Sequence, residues 1–195
     1  MWTLANIITL IRIALIPPFV YFVNEGAFGL ALGIFFAASV SDFFDGYVAR
    51  RFNQHSSVGR LLDPLADKIL TTVGYIVLAL PRAGIPSIPI WLAALVVGRD
   101  VAILLGSLIV FLKARYREFK PSLIGKLNTF AELGLIVSFL ALNSTGYLLF
   151  LVPYLYWIVA TTVIASGLSY LATGVGILRL HSINRSPELL ESKQL

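Results

Sequence analysis

The chain has 195 residues, 58% of them hydrophobic and 13% charged, with no cysteine and a formal net charge of +5. A soluble domain carries about a quarter charged residues, so this composition excludes an ordinary soluble globular protein, and the absence of cysteine excludes a disulfide framework. A mean hydropathy of +0.87 reads as an integral membrane protein.

The opening Met1-Trp-Thr-Leu-Ala-Asn6 has no basic n-region, and no small-x-small site follows the first apolar run, so no signal peptide is expected. A helical span needs about 20 mostly apolar residues. The first candidate covers roughly Ile7 to Val23, with Pro17-Pro18 expected to kink or break it. The second runs from about Phe28 to Val40 and the third from about Ile69 to Leu80. Both are short, and reach spanning length only if the acidic segments beside them continue as helix. The fourth covers about Ile88 to Leu112, the fifth about Leu127 to Leu142 and the sixth about Tyr147 to Leu178, with Pro153 a candidate break early in the last. The expected fold is therefore an all-α membrane bundle of six spans enclosing a polar cavity that faces the cytoplasm. A catalytic membrane domain occupies residues 1–180, and residues 181–195 form a polar, loosely ordered tail.

Basic residues orient the bundle. Arg50, Arg51, Arg60 and Lys68 lie between spans two and three. Lys113, Arg115, Arg117, Lys120 and Lys126 lie between four and five, and Arg179, Arg185 and Lys193 follow the sixth. The opposite links carry only Glu25, Arg82 and the uncharged Asn143-Ser-Thr-Gly146. By the positive-inside rule, both termini and the acidic segment face the cytoplasm, as in a bacterial inner membrane or its equivalent.

Four aspartates concentrate the chemistry. Asp42 and Asp45 are three residues apart, Asp63 and Asp67 four apart, and either spacing puts both side chains on one helical face. Carboxylates at a hydrocarbon boundary need compensating charge. An all-oxygen set without histidine or cysteine suits Mg²⁺ or Mn²⁺ rather than Zn²⁺. Four acids are enough for two such ions, and two ions suit in-line displacement at phosphorus. A blander reading makes Asp63, ahead of Pro64, a helix N-cap, and Asp42 another. Capping leaves Asp45 and Asp67 unexplained. Gly46 and Gly59 suit close approach of a ligand to the backbone, or helix packing. Arg50 is placed to reach a bound phosphate, or simply obeys the topology rule.

The run from Asp42 to Asp67 resembles the CDP-alcohol phosphotransferase family. Its signature, D-x2-D-G-x2-A-R-x8-G-x3-D-x3-D, is met at Asp42, Asp45, Gly46, Ala49, Arg50, Gly59, Asp63 and Asp67. The resemblance implies transfer of a phosphatidyl group from CDP-diacylglycerol to an acceptor hydroxyl, with CMP released. It further implies two divalent cations held by Asp42, Asp45, Asp63 and Asp67, and a nucleotide site lined by Gly46, Ala49, Arg50 and Gly59. Asp67 takes the acceptor's proton, holds a metal, or does both. A homodimer is implied and no nucleic-acid partner.

Asn6-Ile-Ile-Thr9-Leu-Ile-Arg12 and Leu61-Leu-Asp63-Pro-Leu-Ala-Asp67-Lys68 look like the branch with glycerol-type acceptors. These are glycerol-3-phosphate, giving phosphatidylglycerophosphate, or phosphatidylglycerol, giving cardiolipin. Inositol phosphate is the alternative acceptor. Arg99, charged within the fourth apolar run, is the first candidate to bind the acceptor, and its other reading is a structural ion pair. Lys120 and Lys126 are the second candidates, and Glu132 has no evident partner. An Asp-rich membrane prenyltransferase is the rival enzyme, but it does not require Gly46, Ala49, Arg50 and Gly59 at these intervals. A cation transporter is the rival of another class, and the chain lacks the two related halves it would have.

Overall fold

The computed structural model describes the backbone over residues 4–52, 59–114 and 123–191, and the side chains over 10–41, 68–107 and 123–176. Six α-helices account for almost all of it: α1 (Leu4–Asn24), α2 (Phe28–Phe52), α3 (Gly59–Ala79), α4 (Ile90–Ala114), α5 (Leu123–Thr145) and α6 (Val152–Glu191). The pairs that pack most extensively close into a ring in the order α2, α1, α3, α4, α6, α5, with α3 and α5 also touching across it.

Apolar residues at helical spacing build the interior. On α2, Phe28, Ala31, Phe35 and Ala38 form one buried stripe, met by Phe19 and Val23 of α1 and by Phe139 of α5. Phe19 stacks obliquely on Phe35 at 5.6 Å, and Phe28 meets Phe139 edge to face at 6.0 Å. The outer surface is just as apolar, since Leu104, Phe130, Trp157 and Leu171 are all more than 60% exposed. Helices apolar on every side belong in a hydrocarbon environment or at the centre of a large protein. Among the described residues, three segments are long and apolar enough to cross a bilayer: Ile90–Ser107, Leu123–Thr145 and Leu149–Gly176. The apolar stretches of the first three helices are shorter there, at Leu10–Asn24, Phe28–Ser41 and Lys68–Ala79.

Chain reversals follow local chemistry. After α1, Gly26 adopts φ +70°; its amide donates to Val23 O at 3.1 Å while the amide of Ala27 donates to Phe22 O at 2.9 Å. This is a Schellman cap, with glycine where a Cβ would be strained. At the end of α3, the Arg82 guanidinium donates to Val77 O, placing a cation at the carbonyl end of the helix. Partial burial lowers the pKa of this arginine from its ordinary value. Its position as the one cation in an otherwise bare link thus has a local structural cause.

Two expectations about breaks come out differently. Pro17 and Pro18 lie inside an uninterrupted α1; the next turn is held by Phe19 and Val23, both fully buried. The sixth span is interrupted just ahead of Pro153. Gly146 (φ +73°) and Leu148 (φ 57°) end α5, a single 3-10 turn follows at Leu149–Leu151, and α6 starts at Val152. Proline then occupies the first helical turn, where its missing N–H costs nothing. The segment beyond residue 180, expected to be loosely ordered, continues the backbone of α6 as far as Glu191. Extending an existing helix needs no new nucleus, so polar residues can prolong it.

Candidate active site

The acidic segments do continue the second and third apolar runs as helix. Asp42, Asp45, Gly46, Ala49 and Arg50 lie on the C-terminal half of α2, and Gly59, Asp63 and Asp67 on the N-terminal half of α3. Each pair of aspartates therefore has the helical spacing that puts both residues on one face. This placement corrects the capping alternative. α3 begins at Gly59, so Asp63-Pro64 falls inside the helix, and Asp42 is fourteen residues into α2. Ser41, just before it, bonds back to Ala37 O at 2.7 Å within the same helix. Neither aspartate is an N-cap.

The side chains of these signature residues, and the connecting residues 53–58, lie outside the described set. Lys120 lies outside it entirely. Among the described residues, no three histidine, cysteine or acidic side chains converge.

What the structure does resolve is a polar cluster one residue further along α3. Lys68 donates to both carboxylate oxygens of Asp100 on α4, at 2.9 and 2.8 Å, and its ammonium lies 3.7 Å from Glu132 Oε2 on α5. Arg99 Nη1 donates to Asp100 Oδ1 at 2.6 Å, and Nη2 donates to Ser166 Oγ on α6. The guanidinium also sits 5.7 Å from the ring centre of Tyr170. Glu132 is fully buried, accepts a bond from Asn128 Nδ2 at 2.5 Å, and its backbone oxygen accepts one from the Tyr75 hydroxyl at 3.1 Å. Two cations and two anions thus form a neutral group joining α3, α4, α5 and α6.

Paired charges of this kind are the arrangement that a low-dielectric interior tolerates. The cluster grades from the fully buried Glu132 through Asp100 to Lys68, whose side chain is 38% exposed. Lys68 is eleven residues before the end of α3, about 16 Å at 1.5 Å per residue, and Asp100 is ten residues past the start of α4.

Arg99 is engaged by Asp100 and Ser166, so an acceptor phosphate would have to exchange with one of them. Its stem lines a groove of about 800 Å³ between α4 and α6, floored by Gly98, Ala102, Gly106 and Gly167. Lys126 is exposed near the start of α5. Arg12 is buried on α1. Glu132, without an evident partner in the sequence, finds Asn128 and Lys68. Sequence reasoning placed Lys68 in a basic link and at the end of the segment 61–68, with no partner for it, and did not single out Tyr75, Asn128 or Ser166. A signal existed for the lysine: Asp100 and Glu132 lie in apolar runs, and intramembrane acids need a cation.

The profile of CDP-alcohol phosphatidyltransferases matches residues 2–177, nearly the whole chain. The chain belongs to the CDP-alcohol phosphatidyltransferase family. Among similar proteins, the human cardiolipin synthase (CMP-forming) is 34% identical over 190 residues, covering 87% of this chain and 60% of that protein. A CDP-diacylglycerol–glycerol-3-phosphate 3-phosphatidyltransferase of Rickettsia typhi is 35% identical over 178 residues, covering 87% of this chain and 96% of the relative. Its counterpart in Rickettsia bellii is 34% identical over 174 residues, with 86% and 92% covered. The chain thus spans about three fifths of the human protein and nearly all of the rickettsial ones. The charge cluster is attached directly to the helix that carries the second half of the family signature.

Proposed function

We propose that the chain transfers the phosphatidyl group of CDP-diacylglycerol to the hydroxyl of a glycerol-type acceptor, glycerol-3-phosphate or phosphatidylglycerol, with release of CMP. The observation that carries this reading is the placement of both signature acid pairs within helices, at spacings that repeat a carboxylate one turn onward. Relatives named for this chemistry with each of the two acceptors support it.

The donor set fits divalent metal. Asp42, Asp45, Asp63 and Asp67 offer carboxylate oxygens alone, the ligand type of Mg²⁺ and Mn²⁺. These four would hold two ions, which when bound supply positive charge at the pyrophosphate. The remaining chemistry belongs to the chain. Gly46 and Gly59, lacking side chains, let the nucleotide approach the backbone, with Ala49 permitting close packing and Arg50 facing the phosphates. Asp67 accepts the proton of the attacking hydroxyl. A carboxylate shared closely by two cations is a poor base, so Asp67 would be the least tightly coordinated of the four. The acceptor oxygen forms its bond to the lipid-side phosphorus while the bond from that phosphorus to the bridging oxygen breaks, and CMP departs with that oxygen.

In the membrane, all six helices cross, with the acidic ends of α2 and α3 and both chain termini at the cytoplasmic face. Trp91 and Trp157 pack at 5.7 Å near the starts of α4 and α6, which suits an aromatic belt at the opposite boundary. Lys126, with Arg99 and Lys120, is the proposed contact of the acceptor, and the working unit is a homodimer.

Purified protein given CDP-diacylglycerol, Mg²⁺ or Mn²⁺ and either acceptor should release CMP and form a new phospholipid. Asp63→Asn should lower turnover by about 100-fold or more while the protein stays monodisperse. Wild-type turnover in that variant would refute the ligand assignment, and the two acceptor arms separate the two products.

A further inference from the structure

We infer that Asp100 and Glu132 are positioning residues that hold Lys68 and thereby set the rotation and axial register of α3, aiming its signature carboxylates, Asp63 and Asp67. The inference rests on the proposed metal-binding role of those aspartates. Lys68 follows Asp67 directly, so whatever fixes the lysine fixes the adjacent turn of the helix. The lysine is fixed from two sides: both oxygens of Asp100 on α4 within 2.9 Å, and Glu132 on α5 at 3.7 Å.

Each of these acids is itself held. Asp100 is bound by Arg99, which is tied in turn to Ser166 of α6. Glu132 is bound by Asn128 within α5, and Tyr75, about two turns beyond Lys68 on α3, donates to its backbone oxygen. In a hydrocarbon environment lipid tails are as apolar as the packed side chains, so helices are held by van der Waals packing and interhelical hydrogen bonds. A charge pair adds a directional contact at one register, and fixing register is the best-attested use of buried ionic groups. Asp100 and Glu132 need touch neither donor nor acceptor to affect the reaction.

The chain has no cysteine, so an introduced pair can report register directly. A Cβ at Gly74 on α3 would meet Ile136 Cδ1 on α5 at 3.0 Å and its Cγ1 at 4.0 Å, and replacing both residues by cysteine removes the δ carbon that would obstruct a bridge between the two helices. Gly74→Cys/Ile136→Cys should form a disulfide on mild oxidation and keep wild-type CMP release. Adding Asp100→Asn, or separately Glu132→Gln, should lower the disulfide yield. Each should also lower turnover and weaken Mn²⁺ binding, read by electron paramagnetic resonance, by about 10- to 100-fold. Trapping the disulfide in the Asp100→Asn protein should restore most of the Mn²⁺ affinity.

Unchanged cross-linking and Mn²⁺ affinity in both acid variants would overturn the inference. So would lost turnover with both of these at wild-type level, since the acids would then act on the acceptor. If Asp100→Asn does not assemble, Glu132→Gln, which leaves the Asp100–Lys68 contact in place, decides. If Asp63→Asn binds Mn²⁺ as wild type does, the metal reading fails instead, while the cross-linking yield still tests the register.

Discussion

Glu132 and Gly26 show how single residues carry this fold. Glu132 is buried among apolar side chains on α5, yet one of its oxygens is bonded to Asn128 and the other faces Lys68. Asn128 is one turn earlier on α5, but the lysine lies 64 positions earlier in the chain, so no pattern within α5 says which cation answers the acid. Gly26 is the opposite case: a glycine just past an apolar run is already a cap signal, and the structure supplies the two bonds that make it one. Its φ of +70° predicts that Gly26→Ala lowers unfolding free energy by about 1–2 kcal/mol. Gly33→Ala on α2, where an added Cβ meets nothing within 4 Å, should leave stability unchanged or slightly improved. Denaturant titration in detergent, comparing the two variants, checks both statements.

Among the helices, α2 and α3 are the pair whose lengths were least evident. Their apolar runs stop short of a span, and each is completed by the polar, charged half that bears the signature. Hydropathy alone cannot extend a helix through Asp42-Phe-Phe-Asp45 or Leu62-Asp63-Pro64. The aspartate spacing suggested it, and the continuous backbone shows it. The α5–α6 connection was legible at Gly146, which closes the uncharged link Asn143-Ser-Thr-Gly146, while the αL turn at Leu148 was not. Leu148 is a bulky residue at φ 57° with a largely exposed side chain. Leu148→Gly should therefore relieve strain, offset in part by glycine's greater chain entropy, for a net gain of up to about 1 kcal/mol. A lower midpoint of thermal unfolding in that variant would show that the αL conformation is not strained. At the end of α3, Arg82→Gln should cost about 1 kcal/mol through the lost bond to Val77 O, with no change in CMP release.

For the molecule as a whole, orientation and metal dependence are the properties still open to direct test. Chelation by EDTA should abolish turnover, and Mg²⁺ or Mn²⁺ should restore it. Retained turnover after exhaustive chelation would remove the role proposed for the four aspartates. In inverted and right-side-out vesicles, an impermeant thiol reagent should label Tyr147→Cys only from outside and Lys193→Cys only from the cytoplasmic side. Labelling of both from one face would break the six-span topology, and an exchange of the two faces would reverse it. From composition, apolar runs and one signature at set spacing, the chain's all-helical class, its helix count and its family could all be read. These depend on local pattern and on residue identity at short range. Which helices are neighbours, which cation answers Asp100 and Glu132, and the contact of α3 with α5 across the ring needed the tertiary structure. The reason is physical: apolar helix faces do not announce their partners in sequence, and the aromatic packing of α1, α2 and α5 and the distant charges that join α3, α4, α5 and α6 meet only in the folded bundle.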